Sequence, residues 1–165
     1  MLLLPMHEVH LYCASLDTLA TRLTHFAATL NVDERARAAR FHFARDRQRY
    51  IVARGLLRMI LGHYLAVEAV QLHFCYNDFG KPSLAAPYSD GGLTFNLAHS
   101  GSYALYGLAR QRQVGVDIEQ VRLDLELEQL VGQVFSRAEQ QSWRRLVLAG
   151  ADADSWPCGG GGGGR

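Results

Sequence analysis

The chain has 165 residues, 48% of them hydrophobic, and a formal net charge of +1, enough apolar material for one core and too short for two independent domains of ordinary size. A near-neutral balance gives no global attraction to nucleic acid or anionic membrane, so anion binding has to come from local clustering. No run approaches the roughly 18 apolar residues of a membrane span, and Cys13, Cys75 and Cys158 fit neither a disulfide framework nor a zinc pattern, so the composition points to a soluble, cytoplasmic protein.

In chain order, the opening MLLLPM reads as a first strand. Leu16, Leu19, Leu23, Phe26 and Leu30 then recur at helical spacing and predict one amphipathic helix. A second helix is expected from about Asp33. A third, from Asp46, presents Tyr50, Leu56, Leu57, Ile60, Leu61, Tyr64 and Leu65 as its core stripe and leaves its arginines on the remaining faces. After Val67 the pattern changes to alternating VQLHFCY, the turn NDFGKP and the loop SLAAPYSDGG. Three strand-like runs at 93–98, 103–109 and 114–119 predict an antiparallel meander. Apolar spacing over 125–135 predicts a further helix, and Ser136 with Glu139 forms a capping-box start for another. From Ala149 the pattern collapses toward six consecutive glycines, which have no apolar face to bury.

Eight arginines fall between Arg35 and Arg58, whereas Lys81 is the single lysine. Guanidinium favours bidentate contact with phosphate or carboxylate, although a solvated polar face is the plainer account of any one of them. VGVDIE is the sharpest local feature, because a strand puts Asp117 and Glu119 on one face with Gly115 and turns Val116 and Ile118 away. Two carboxylates at that spacing repel, and a hard cation such as Mg²⁺, taking its other ligands from water and substrate phosphates, relieves them. An ordinary acidic edge strand has the same pattern. In FNLAHS, His99 arrives where a strand ends, a good place to meet a phosphate and an equally ordinary place for a structural hydrogen bond. In FGKP, Pro82 holds Lys81 in extended geometry, so its ammonium projects from a rigid turn, whether toward a ligand or simply toward water.

Read in order, FARD with ARGLLR, FGKP, FNLAHS, VGVDIE and FSRAE resemble the Sfp-type 4′-phosphopantetheinyl transferases in content and spacing over about residues 33–146. The resemblance implies an α+β fold of two similar halves, with residues 1–122 as the first half, 123–150 as the start of the second and 151–165 as a disordered tail. It implies transfer of 4′-phosphopantetheine from coenzyme A to a serine of an acyl or peptidyl carrier protein, releasing adenosine 3′,5′-bisphosphate. By motif match, Asp117 and Glu119 hold Mg²⁺, Glu139 joins them in the catalytic set, and Arg37, Lys81, Pro82 and His99 contact coenzyme A. The helix at 125–135 lies where the family meets its carrier. Glu139 also has its structural reading as the capping glutamate.

Three departures stand out. Ala98 occupies a position often held by serine, and Glu34 replaces a residue that is basic in some relatives. The family's W-x-x-K-E segment is missing: Trp156 is followed by Pro157, Cys158 and glycine, so impaired activity and a truncated or frame-shifted ending are expected. Two other readings remain: a non-catalytic module that binds coenzyme A or a carrier protein, and an arginine-rich nucleic-acid binder. A near-neutral charge and the lack of an aromatic stacking pattern argue against the last.

Overall fold

The longest element, helix α4 (Ala44–Leu65), is apolar on much of its circumference and is therefore enclosed by other elements. The structure, a computed structural model, describes residues 2–120 and 136–148. The chain divides into two compact units, Met1–Gln120 and Val121–Arg165. In the first unit, strand β1 (Val9–Ser15) leads into α1 (Leu16–Leu19), a 3₁₀ turn (Ala20–Arg22) and α2 (Leu23–Thr29). Helix α3 (Val32–Ala39) and α4 follow, then the short hairpin β2 (Phe74–Tyr76) and β3 (Pro82–Leu84), and the long hairpin β4 (Leu93–Ser100) and β5 (Tyr103–Arg110). The second unit contains α5 (Arg137–Leu148).

The α+β expectation holds: helices pack on an antiparallel sheet of order β1-β5-β4, with β5 at its centre. Tyr106, Leu108 and Ala104 of β5 and Phe95 of β4 are fully or almost fully buried together with Val52, Leu57, Leu61 and Tyr64 of α4. The Tyr106 hydroxyl donates to the Ala53 carbonyl at 3.0 Å, pinning sheet to helix. Gly55 allows α2 to cross α4 closely, since a Cβ there would stand 2.7 Å from that of Phe26. Among the described residues no helix is long and apolar enough to cross a membrane.

Sheet and helices are tied by a buried charge cluster. Asn31 caps α3: its side chain accepts from the Glu34 amide at 2.9 Å while Glu34 Oε2 accepts from the Asn31 amide at 3.0 Å. The same carboxylate, 2% exposed, accepts from Arg54 Nε at 2.5 Å and Arg58 Nε at 2.7 Å. Arg58 Nη1 donates to the carbonyls of Ala69 and Leu72, and both guanidiniums lie over the Phe74 ring of β2, at 4.4 and 5.1 Å. One carboxylate thus joins the start of α3, the middle of α4 and the approach to β2.

Several expectations need correcting. Residues 2–6 of MLLLPM form no strand; among the described residues the first begins at Val9. The first helix is interrupted by the 3₁₀ turn at Ala20–Arg22. Arg54 and Arg58 are buried rather than solvated. The run at 114–119 keeps its alternation, with Val114, Val116 and Ile118 half-buried and Gly115, Asp117 and Glu119 exposed, yet it joins no ladder. Both edges of β5 are already taken by β1 and β4, which leaves no place beside β5 for a third meander strand. The helix expected at 125–135 and the tail at 151–165 lie outside the described residues.

Removing the shared carboxylate strands two buried guanidiniums, a situation that costs about 3–5 kcal/mol. Glu34→Ala is therefore expected to lower the unfolding free energy, extrapolated from urea titration, by an amount in that range, and an unchanged unfolding free energy would contradict this account of the fold.

Candidate functional site

The N-terminal half of α4 packs so that its Tyr50 and Arg54, one turn apart, face away from α2 toward the β2–β3 hairpin and the end of β4. There they line a cleft of about 580 Å³ with Arg37, Tyr76, Pro82 and His99. An adjoining hollow shares Arg37, Phe41, Tyr50, Tyr76 and Gly80 and adds Arg40 together with Asp33 and Glu34. Four elements distant in sequence thus converge on one surface that is basic and aromatic together. Phe41 and Tyr50 stack at a ring separation of 5.3 Å, and the Arg37 guanidinium lies 5.8 Å from the Tyr50 ring. Arg54 Nη2 donates to the Tyr76 hydroxyl at 2.5 Å, fixing the hairpin wall. Desolvation raises the Tyr50 hydroxyl above its ordinary pKa, so it stays a neutral donor rather than a competing anion.

Arg49 also reaches this cleft, but its guanidinium is engaged in a bidentate pair with Asp17, both contacts 2.7 Å. The hydrogen bond from Arg49 holds the Asp17 carboxyl below the usual range. Arg37 and Arg40 make no ion pair among the described residues. Their charge is available to a ligand.

Of the residues singled out in the sequence, Arg37, Pro82 and His99 meet in this cleft. Lys81 does not line it. Its ammonium donates to the Val114 carbonyl at 3.4 Å and faces a separate cavity beside Cys75 and Thr94. This contact ties the β2–β3 turn to the start of the carboxylate segment.

That segment lies across the sheet face opposite α4, held by side chains in place of a ladder. Asn96 Oδ1 accepts from the Val116 amide at 3.0 Å, and Ser100 Oγ accepts from the Gln120 amide at 3.1 Å while donating to Glu119 Oε2 at 3.2 Å. Val116 sits over Gly107 of β5, where a Cβ would stand 2.5 Å from its Cγ1. Gly101, the next residue after Ser100, has φ +57 and lines the cleft. Glu119 is consequently anchored at the same β4–β5 turn that carries His99. Asp117 is exposed, its Oδ1 accepting from the Ile118 amide at 2.9 Å.

Glu139 lies in the second unit, where it completes the capping box. Its carboxylate accepts from the Ser136 amide at 2.8 Å and the Ser136 hydroxyl at 2.7 Å, and that hydroxyl bond holds its pKa down. Sequence reasoning missed Arg54, Tyr76 and Phe41 and assigned Tyr50 to the core. The available signal was the placement of Arg54 and Arg58 one turn apart among apolar neighbours, where a solvated face is not expected.

A cleft that is basic and aromatic together is the kind of site that takes a phosphate-bearing nucleotide. The chain belongs to the 4′-phosphopantetheinyl transferases: residues 17–111 match the family described as 4′-phosphopantetheinyl transferase, N-terminal. The 4′-phosphopantetheinyl transferase HetI of Nostoc sp. is 44% identical over 139 residues, 84% of this chain and 59% of that protein. The 4′-phosphopantetheinyl transferase psf-1 of Bacillus pumilus is 32% identical over 113 residues, 68% of this chain and 46% of that protein. The chain thus spans about half the length of the curated relatives it matches. A solved holo-(acyl-carrier-protein) synthase from Bacillus anthracis, in complex with CoA (3′,5′-ADP), superimposes at a TM-score of 0.48 with 18% identity, over 61% of this chain and 91% of that one.

The close seat of Val116 on Gly107 makes a test of how the carboxylates are positioned. Gly107→Val is expected to lift the segment at 114–119 and to cost about 1–3 kcal/mol through overpacking. Amide shifts of Val116 to Gln120 should move while those of α2 stay in place. Unmoved shifts in the segment would contradict the placement.

Proposed function

We propose that this chain binds coenzyme A through the cleft of Arg37, Tyr50 and His99, as the coenzyme-holding part of a cytoplasmic enzyme that transfers 4′-phosphopantetheine to a carrier-protein serine. The observation that carries the reading is the convergence of Arg37 from α3, Tyr50 and Arg54 from α4, and His99 from β4 on one cleft. Coenzyme A offers what such a surface recognises: a purine ring, a 3′-phosphate and a pyrophosphate. Arg37 and Arg40 supply guanidiniums to phosphate, Phe41 and Tyr50 supply aromatic faces to the base, and His99 adds a ring donor.

In this reaction the serine oxygen attacks the β-phosphorus of the coenzyme. The bond to the oxygen bridging the two phosphorus atoms breaks, the serine proton leaves, and adenosine 3′,5′-bisphosphate departs. Asp117 and Glu119 suit Mg²⁺: both are exposed, both offer only oxygen, and Ser100 orients one of them. Among the described residues no cluster of three or more metal-ligating side chains exists, in keeping with an ion that takes its remaining ligands from pyrophosphate and water. When bound, such an ion would neutralise charge on the pyrophosphate and favour attack. Positioning is the protein's share: the arginines and His99 orient the phosphates, and the almost fully buried Arg54 holds the Tyr76 wall in place.

Calorimetric titration with coenzyme A tests the binding step. Arg37→Ala and His99→Ala are each expected to weaken binding about tenfold, the loss of one charge-assisted hydrogen bond. Asp117→Asn with Glu119→Gln is expected to abolish the Mg²⁺ dependence of binding. Unaltered affinity in all three variants would refute the site. Mass analysis with apo-carrier protein then reads transfer as an added phosphopantetheine mass on the carrier. Coenzyme binding with no modified carrier at all would favour the binding-module reading.

A further inference from the structure

Helix α3 has two working faces. Arg37 and Arg40 line the hollow next to the coenzyme cleft, while Arg35, Ala38 and Ala39 turn to a separate groove of about 590 Å³ formed with α2 and α4. Its floor is apolar, with Leu30 and Ala38 buried and Ile51 half-buried. Ala27 and Ala28 of α2 stand opposite Ala38 and Ala39 of α3, so both walls are low and another backbone can approach closely. Arg35 from α3 and Arg47 from α4 are the charged residues of the groove, and no carboxylate lines it. Neither guanidinium makes an ion pair or a side-chain hydrogen bond among the described residues, in contrast to Arg49, Arg54 and Arg58, which are all paired.

We propose that this groove is a docking site for an acidic amphipathic helix of a protein partner. A groove between helices with an apolar floor and small-residue walls fits the apolar face of a helix, which buries side chains at i, i+3 and i+4. The two arginines set the charge of that helix: carboxylates flanking its apolar stripe would meet guanidiniums that have no partner within this chain. Charge complementarity of this kind raises the association rate and excludes basic partners. The groove shares no lining residue with the coenzyme cleft, so the proposal stands independently of the coenzyme reading.

The test uses the full chain and two fluorescent helical peptides of about 18 residues, long enough to hold several turns. One carries leucines at helical spacing flanked by glutamates; the other has lysine at every glutamate position. The acidic peptide is expected to bind, more weakly as salt is raised to about 0.3 M, where surface charges are screened. Arg35→Glu with Arg47→Glu should weaken it at least about tenfold. Ala28→Trp, which fills the groove without altering its charge, should do the same. All three substitutions fall on exposed positions, and both variants should keep the parent affinity for coenzyme A. Equal binding of the lysine peptide, acidic-peptide binding indifferent to either variant, or no binding would overturn the proposal. So would concentration-dependent self-association abolished by Ala28→Trp, which would make a second copy of this chain the occupant.

Discussion

The carboxylate of Glu34 does three jobs with two oxygens. It completes the cap of α3 and accepts from both Arg54 and Arg58 inside the protein. Desolvating such a group is costly, and only full use of its lone pairs makes the arrangement tolerable. The geometry that results is what the cleft is built on. Arg58 reaches past Glu34 to the carbonyls leading into β2, and Arg54 reaches to Tyr76 on that strand. The hairpin wall therefore stands where a buried ionic cluster puts it.

The cluster also has a charge consequence. Two guanidiniums share one carboxylate, so the wall carries a net positive charge in a region of low dielectric, where its field on a nearby ligand is weakly screened. Arg54 belongs both to this cluster and to the cleft lining. Part of that charge therefore stands at the cleft before any side chain moves. The remaining unit charge is supported by the Phe74 ring, which lies under both guanidiniums and itself meets Phe95 of the sheet edge-on at 5.7 Å.

Much of this was legible in the chain. Alternation marked both strands of the β4–β5 hairpin, and the position of His99 at a strand end followed from it. The cap at Ser136 and Glu139 was readable from four letters. What local pattern could not supply was partnership between distant segments. The run at 114–119 alternates as a strand does, but β5 is already flanked by β1, a pairing of Val9 with Ala109 across a hundred residues of chain. Arg54 and Arg58 look like members of a polar face until Glu34, twenty residues earlier, is brought beside them. Lys81 sits on a rigid turn as expected, yet its ammonium goes to the Val114 carbonyl because the carboxylate segment crosses the sheet there. In each case a contact between distant segments overrides a local preference.

The central claim is that Arg37, His99 and the wall set by Glu34 form one phosphate-binding surface. A crystal structure of the chain grown with coenzyme A and Mg²⁺ tests it most directly. The account predicts coenzyme phosphate oxygens within hydrogen-bond distance of Arg37 and His99, the base against Phe41 or Tyr50, and the pyrophosphate on the side of Asp117 and Glu119. A coenzyme seated elsewhere, with Arg37 and His99 both free of phosphate, would contradict it.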